Sequence, residues 1–364
     1  MIKMIASPWV PVLICGAMEN IIPQNKIDYK SAGVDIDAGN EAVERIKKGV
    51  QSTFTANVLT GLGSFGSLYD LKSILNDYKN PVLVQSIDGV GTKTIIARKL
   101  GKFNTIGVDL LSACANDILV MGARPLTFLD YIANDKLKPE TIEEIVSGMV
   151  RACRDTGVSL VGGEMAEMPD TYKPGEHDLV GVITGVVERD KIITGEGIEP
   201  GDVVLGLPSS GLHTNGYSLA RKLLFDISGY TVDDIIPELE KSVGLTSLEP
   251  HINYTNHLFA VLGNGIDVKG VAHITGGGLV ENIPRILPKV FGVELQKHSW
   301  PLLPIFDVIQ SIGNIDENEM YRTFNMGIGM VIIAAPGQAN NIKQIIDAHE
   351  IGFVVEDKNQ VNII

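Results

Sequence analysis

The chain has 364 residues, room for about two domains on the usual scale of 100 to 200 residues each. Hydrophobic residues make up 45% and charged residues 20%, the balance of a folded globular protein and not of a disordered one. A formal charge of -14 excludes a general nucleic-acid binder, because phosphate backbones are held by a surplus of Lys and Arg; an anionic small molecule would need cations or a metal placed locally.

The N-terminal stretch M I K M I A S P W V P V L I C G A M carries one early lysine and an apolar run broken by Pro8 and Pro11. It is too short to span a bilayer as a helix and lacks a small-x-small cleavage site, while V L I C (12–15) fits a lipoprotein signal only loosely. Residues 1–25 are therefore expected to be an extension, with Met18 as a second possible start. Cys15, Cys114 and Cys153 are odd in number and have no zinc-ligand spacing, which points to a reducing, cytoplasmic setting with no membrane segment.

Further along, T G L G S F G (60–66) contains G-x-G-x-x-G before a possible helix, S L Y D L K S I L. A dinucleotide fold would also want an acid about 20 residues on. Asp88 stands near that spacing, but another glycine turn follows it, so no βαβ unit closes. The run P V L V Q S I (81–87) reads as a strand and leads into D G V G T K. That turn fails the phosphate-loop pattern, since Thr92 separates Gly91 from Lys93 and Ser86 holds the first glycine's place.

T I G V D (105–109) reads as a second strand, so that Asp109, like Asp88, would close one and lie where open α/β sheets gather ligands. The helix expected over D L L S A C A N D I L V M G (109–122) puts Asp109 and Asn116 on one side, at about 100° per residue. Ala113 and Val120 share that side. An element apolar nearly all round is buried, so Asn116 and Asp117 need partners. A metal or ordered ligand would supply them; so would helix capping by Asp109 and bonds from Asn116 and Asp117 to nearby backbone.

Strands are next expected at V S L V (158–161) and D L V G V I T G V V (178–187), with L V G G E M A E M P D ending the first of them in Gly162, Gly163 and Glu164. Alternating strands and amphipathic stretches indicate mixed α/β architecture. Carboxylates without a His or Cys cluster suit Mg²⁺, although Gly-Gly-Glu by itself is commonly a turn. The turn cluster I T G E G I E P G D (193–202) precedes a fresh strand, V V L G L (203–207), and the domain boundary is expected near 191. A strand, glycine loop and helix then occur twice, around S S G L H T N G Y S and H I T G G G L V E N. Free N–H groups at such helix starts favour an anion. His213 sits among small polar residues and is the stronger catalytic candidate; His273, at an apolar strand, reads equally as a hydrogen-bonded core residue.

Seven stretches in order, Y K S A G V D I D A G N, D G V G T K, G V D L L S A C A N D I, G G E M A E M P, S S G L H T N G Y S, H I T G G G L V E N I P R and M Y R T F N M G I G M, make the chain from Tyr29 to about Ile333 resemble the aminoimidazole ribonucleotide synthetases of purine biosynthesis. Met165 stands where the family's motif usually has Thr. The resemblance implies two mixed-sheet α/β domains, 26–190 and 191–364, and a homodimer in which the N-terminal sheets join into a barrel. It also implies ATP and Mg²⁺, with Asp88, Asp117 and Glu164 as metal ligands. Lys47, Asp88, Gly89, Gly91, Thr92, Lys93, Asp109 and Asn116 are assigned to ATP, with Lys93 as a direct cation, although Lys47 could equally be a solvated helix residue. Ser210, Gly211, His213, Asn215, Gly276, Gly277 and Gly278 are assigned to a phosphorylated ribonucleotide. Asp88, Asp117 and His213 would carry the chemistry, an ATP-dependent ring closure. Another ATP-using enzyme of the same superfamily, or a non-catalytic nucleotide-binding scaffold, is the alternative.

Overall fold

The computed structural model describes residues 28–364; the whole of the expected extension 1–25, with Cys15 and Met18, lies outside the described residues. Strands β1 (Pro81–Gly89), β2 (Arg124–Asn134), β3 (Ser159–Glu167) and β4 (His177–Glu188) form one sheet in the order β1-β4-β2-β3. Strands β2 and β3 run parallel, and the other pairs are antiparallel. A second sheet, in the order β10-β7-β9-β5-β8-β6, is built from β5 (Val203–Pro208), β6 (Gly270–His273), β7 (Gly292–Leu295), β8 (Ile328–Ala334), β9 (His349–Val355) and β10 (Val361–Ile363). The mixed α/β architecture is thus present, and so are the strands expected around 81–87, 158–161, 178–187 and 203–207.

One face of the first sheet lies under the helices Ile106–Leu119 and Pro139–Thr156. The second of these starts on a proline, whose missing N–H costs nothing in a first turn, and stops at Gly157 in the left-handed region, φ 71. Its inward stripe is Ile142, Ile145, Val146, Met149, Ala152 and Cys153, all buried. Side chains alternate along a strand: on β1 Val84 is buried, whereas Leu83 and Ile87 are 58% and 66% exposed. The sheet therefore keeps an open apolar face on the side away from its helices.

The expectation at T I G V D is corrected: it is the first turn of the helix Ile106–Leu119, not a strand. A helix buried on nearly every side has no polar stripe, so a β-branched window of it shows no period of 3.6. Backbone packing decides the matter. A Cβ on Gly107 would lie 2.0 Å from the Ile145 carbonyl oxygen, and one on Gly148 2.4 Å from that of Asn104, so the two helices cross at a contact that only glycine permits. Asp109 consequently lies inside a helix and makes no side-chain cap there. Before T G L G S F G there is only the isolated bridge Val58–Tyr69, and the helix after it shrinks to Lys72–Leu75.

Every residue of β8 is buried, making it the spine of the second sheet. Its neighbour β6 ends at His273, paired with Met330. Among the described residues no helix is long and apolar enough to cross a membrane.

Candidate active site

Asp88 is the penultimate residue of β1, and its Oδ1 accepts the Gly89 N–H at 2.7 Å. Burial raises its pKa, and the negative charge of Asp117 adds to the rise. Asp117 comes from the last turns of the helix Ile106–Leu119, its side chain 34% exposed. Its Oδ2 accepts from Ser86 Oγ at 2.9 Å, and its Oδ1 faces His273 Nδ1 at 2.9 Å. The end of β1, the central helix and the end of β6 thus converge, joining the two sheets at one point.

Behind His273 lies a residue that the sequence reading missed. His251 Nε2 is 3.1 Å from His273 Nε2 and 3.2 Å from Asn116 Nδ2, while its Nδ1 is 3.3 Å from Thr214 Oγ1. His213 stacks on it, ring centres 4.0 Å apart. Burial lowers the pKa of both rings well below the ordinary histidine value. The stretch E P H I N Y carries no glycine turn or charge cluster; the signal available was a histidine after Pro250.

Lys93 and Asp109 do not reach toward a ligand. The Lys93 ammonium is wholly buried and donates to Asp109 at 2.9 Å, to the His213 carbonyl at 3.0 Å and to the Glu249 carbonyl at 2.6 Å. Asp109 also accepts the His251 N–H at 2.7 Å. Burial lowers the pKa of Lys93 and raises that of Asp109, and their mutual attraction opposes both shifts. The role of direct phosphate cation expected of Lys93 is therefore not what this arrangement offers, since a fully occupied ammonium has no face left for an anion. Asn116 is saturated too: Oδ1 accepts the Tyr254 N–H, and Nδ2 donates to the Ile252 carbonyl, both at 2.9 Å.

The two glycine loops come together. The Asn215 Oδ1 lies 3.4 Å from where a Cβ of Gly276 would be, and Asn282 Nδ2 holds that loop through the carbonyls of Thr275, Gly276 and Gly278. Gly277 and Gly278 have φ 95 and 57, conformations that a side chain would strain. In the other loop Ser210 Oγ donates to the Pro250 carbonyl, and Asn325 Nδ2 donates to that of Gly211 at 2.8 Å. His213 has φ 57 and no exposure; its Nε2 accepts the Ser210 N–H at 3.3 Å. In the turn after β1, Gly91 has φ 66, and the Thr92 Oγ1 lies 3.5 Å from Ser218 Oγ.

Glu164 does not join Asp88 and Asp117. On β3 it is in register with Tyr131, one residue out of phase with the row Asp88–Gly181–Asp130–Gly163 that crosses the sheet. Its side chain therefore leaves from the opposite, open face. Among the described residues no group of three His, Cys, Asp or Glu is arranged to hold a metal. Glu164 instead lines a cavity of about 480 Å³ together with Gly162, Gly163, Asp130, the turn 61–67 and the Val43, Ile46 and Val50 side of the helix Ile36–Gln51. Lys47, on that helix, pairs with Glu44 at 3.0 Å. Asp130, also missed from sequence, covers Gly163, and burial pushes its pKa up to about 7.

Comparison with known proteins gives two family matches, the AIR synthase related protein N-terminal domain over residues 72–187 and its C-terminal domain over 199–363. The phosphoribosylformylglycinamidine cyclo-ligase of Geobacillus thermodenitrificans is 49% identical over 333 residues, covering 90% of this chain and 95% of its own. That of a Thermoanaerobacter species is 46% identical over 340 residues, covering 92% and 99%. Among solved structures, the hydrogenase maturation protein HypE in complex with ATP superposes with a TM-score of 0.63 at 16% identity, covering 90% of this chain and 91% of that one; the likeness is one of fold.

Proposed function

The chain belongs to the phosphoribosylformylglycinamidine cyclo-ligase family, and from that premise we propose that it converts formylglycinamidine ribonucleotide and ATP into aminoimidazole ribonucleotide, ADP and phosphate, a step of purine biosynthesis. The observation that carries this reading is the convergence of Asp88 and Asp117 beside His273 where the two sheets meet.

A divalent cation suits these two carboxylates. Magnesium needs only one or two protein carboxylates, and the negative charge of Asp117, which adds to the rise that burial causes in Asp88's pKa, is what a cation would offset. Asp88 and Asp117 would hold it, and when bound it neutralises phosphoryl charge. Glu164 is left out of this ligand set and assigned to the cavity along β3.

The chemistry asked of the chain is chiefly placement. A formyl oxygen is a poor leaving group until phosphorylated; once it is, the amidine nitrogen closes the five-membered ring on that carbon. Holding the nucleophile and electrophile together contributes on the order of 7 to 11 kcal/mol in favourable cases. Asp117 is held in one orientation by Ser86 and His273. The loops around Ser210–Asn215 and Gly276–Gly278 supply the backbone for the ribonucleotide phosphate. His213, buried beneath its loop, is assigned to fixing that loop through Ser210 instead of touching substrate.

The open sheet face, where Ile87, Val182 and Leu129 stand in one row and Ile87 and Leu129 are 66% and 42% exposed, is proposed to join a second copy into the barrel of a homodimer. The domains are taken as 26–190 and 191–364, supported by the gap between β4 and β5. A cytoplasmic setting agrees with Cys114 and Cys153 as free buried thiols.

The test is substrate labelled with ¹⁸O at the formyl position. The label should appear in inorganic phosphate, one atom per turnover, and not in ADP. Label found only in water would mean that ATP does not activate this oxygen, and absence of turnover would return the chain to the other ATP-using enzymes of its fold.

A further inference from the structure

We propose that Lys93 is a positioning residue for this reaction: its buried ammonium holds the Ser210–Asn215 loop at a fixed place relative to Asp88 and Asp117, and so sets the ribonucleotide against the ATP side of the site. The role in turnover rests on the reaction proposed above, whereas the clamp itself does not.

The clamp joins the two parts of the site by short covalent paths. Lys93 opens the helix Lys93–Leu100 at the end of the turn that follows Asp88, and its partner Asp109 is on the helix that carries Asp117. The three ammonium hydrogens meet three acceptors: Asp109 Oδ1 at 2.9 Å, the His213 carbonyl at 3.0 Å and the Glu249 carbonyl at 2.6 Å. The second lone pair of Asp109 Oδ1 takes the His251 N–H at 2.7 Å. One ion pair thus fastens residues 213, 249 and 251 to the two elements that present the carboxylates. Tyr217, at the start of the helix after the loop, stands over the ammonium, its ring centre 5.6 Å from Nζ and its hydroxyl donating to the Ser247 carbonyl at 2.6 Å.

The loop needs such a hold. His213 has φ 57, a left-handed backbone that a side chain disfavours and that persists only where the surroundings over-determine it. Its ring is fixed by stacking on His251 and by the Ser210 N–H, but those contacts act on the side chain. The peptide plane after it is set by Lys93, because rotating that plane would carry the His213 carbonyl away from the ammonium. The Thr214 N–H belongs to the same plane and points the opposite way. The bond that holds the carbonyl therefore also aims a backbone donor of the loop assigned to the ribonucleotide phosphate.

Lys93→Met combined with Asp109→Leu removes the clamp without leaving a buried charge behind, and so separates position from stability. In this double variant kcat/KM for the ribonucleotide should fall on the order of 100-fold, the cost of a misplacement of about 1 Å made away from the chemistry. Equilibrium binding of ATP and the thermal midpoint should change little. Hydrogen–deuterium exchange, which needs no substrate, should quicken in peptides spanning Ser209–Gly216 and not in β1 or β4. Undiminished kcat/KM in the folded double variant overturns the proposal whatever its exchange. Exchange that quickens everywhere would show support of the whole fold and not of the loop, and a loss confined to ATP binding would make Lys93 a direct phosphate cation. If the parent turns over no such substrate, the reaction proposed above fails, and the exchange pattern still decides the clamp. Should the double variant not fold, acylation of the unaltered protein by acetic anhydride decides: Lys93 should react far more slowly than the exposed Lys30, with or without ATP. Ready acylation of Lys93 overturns the clamp.

Discussion

Asp109 and Asp117 stand on one helix, Ile106–Leu119, yet their surroundings differ in kind. Asp109 is wholly buried; Lys93 gives its donors to Asp109 and to the His213 and Glu249 carbonyls, while Asp109 and Asn116 also hold the backbone of His251, Ile252 and Tyr254. Asp117 is one-third exposed, one oxygen held by Ser86 and the other facing His273. The same residue type therefore serves as a rivet in one turn and as a chemical group in another. What separates them is unspent capacity: a site needs carboxylate lone pairs that the fold has oriented but not consumed.

The largest expected effect breaks the rivet. Lys93→Met leaves Asp109 as an uncompensated buried carboxylate, which should cost about 3 to 5 kcal/mol in urea unfolding. Replacing both, as Lys93→Met with Asp109→Leu, should restore much of that stability, because an apolar pair needs no compensation. A single variant as stable as the parent would mean that the pair is not the clamp described above.

Asp117→Asn probes the other side of the contrast. Folding should be unchanged, while kcat/KM falls by about 10²- to 10³-fold, the scale of losing one charge-stabilising group from an active site, and the Mg²⁺ concentration needed for half activity rises steeply. Unfolding together with unaltered metal dependence would make Asp117 a second rivet. Asn116→Leu, one residue away, should show the reverse pattern. It strands the Tyr254 N–H and the Ile252 carbonyl, for a loss of about 1 to 3 kcal/mol in stability, and touches turnover through Asp117's neighbourhood alone.

This contrast also explains how much could be read from the sequence. Asp88 at a strand end, Asp117 on a buried helix and the two glycine loops were legible because each is a local pattern: a period of 2, a run of apolar residues, a turn before a helix. The structure sets Asp88 beside Asp117 and one glycine loop against the other, and leaves Glu164 apart from them. Lys93 was misjudged because a lysine after a glycine turn looks the same whether it faces solvent or the second half of the chain. The strand expected at T I G V D failed for a similar reason, since the helix-on-helix contact at Gly107 and Gly148 that specifies it spans about forty residues. His251 had no local signal, being defined by Asn116, far behind it in sequence.

The smallest effect concerns Asp130, which lies in the same cross-sheet row as Asp88 and whose pKa burial raises from 3.8 to about 7. A carboxyl with a raised folded pKa binds its proton more tightly in the folded state than in the unfolded one. The penalty is therefore absent below about pH 4, grows as pH rises through the interval from 3.8 to about 7, and is complete above it. Asp130→Asn, which cannot ionise, should accordingly be more stable than the parent at pH 8 and lose that advantage by pH 4. The gain should be on the order of 1 kcal/mol, below the roughly 4 kcal/mol that three pKa units represent, because the cavity beside Asp130 admits water and screens the charge. Urea midpoints of both proteins at the two pH values measure it. A difference that is the same at pH 4 and pH 8 would show that Asp130 does not titrate in this range, and that the row shared with Asp88 contains one strained carboxylate and not two.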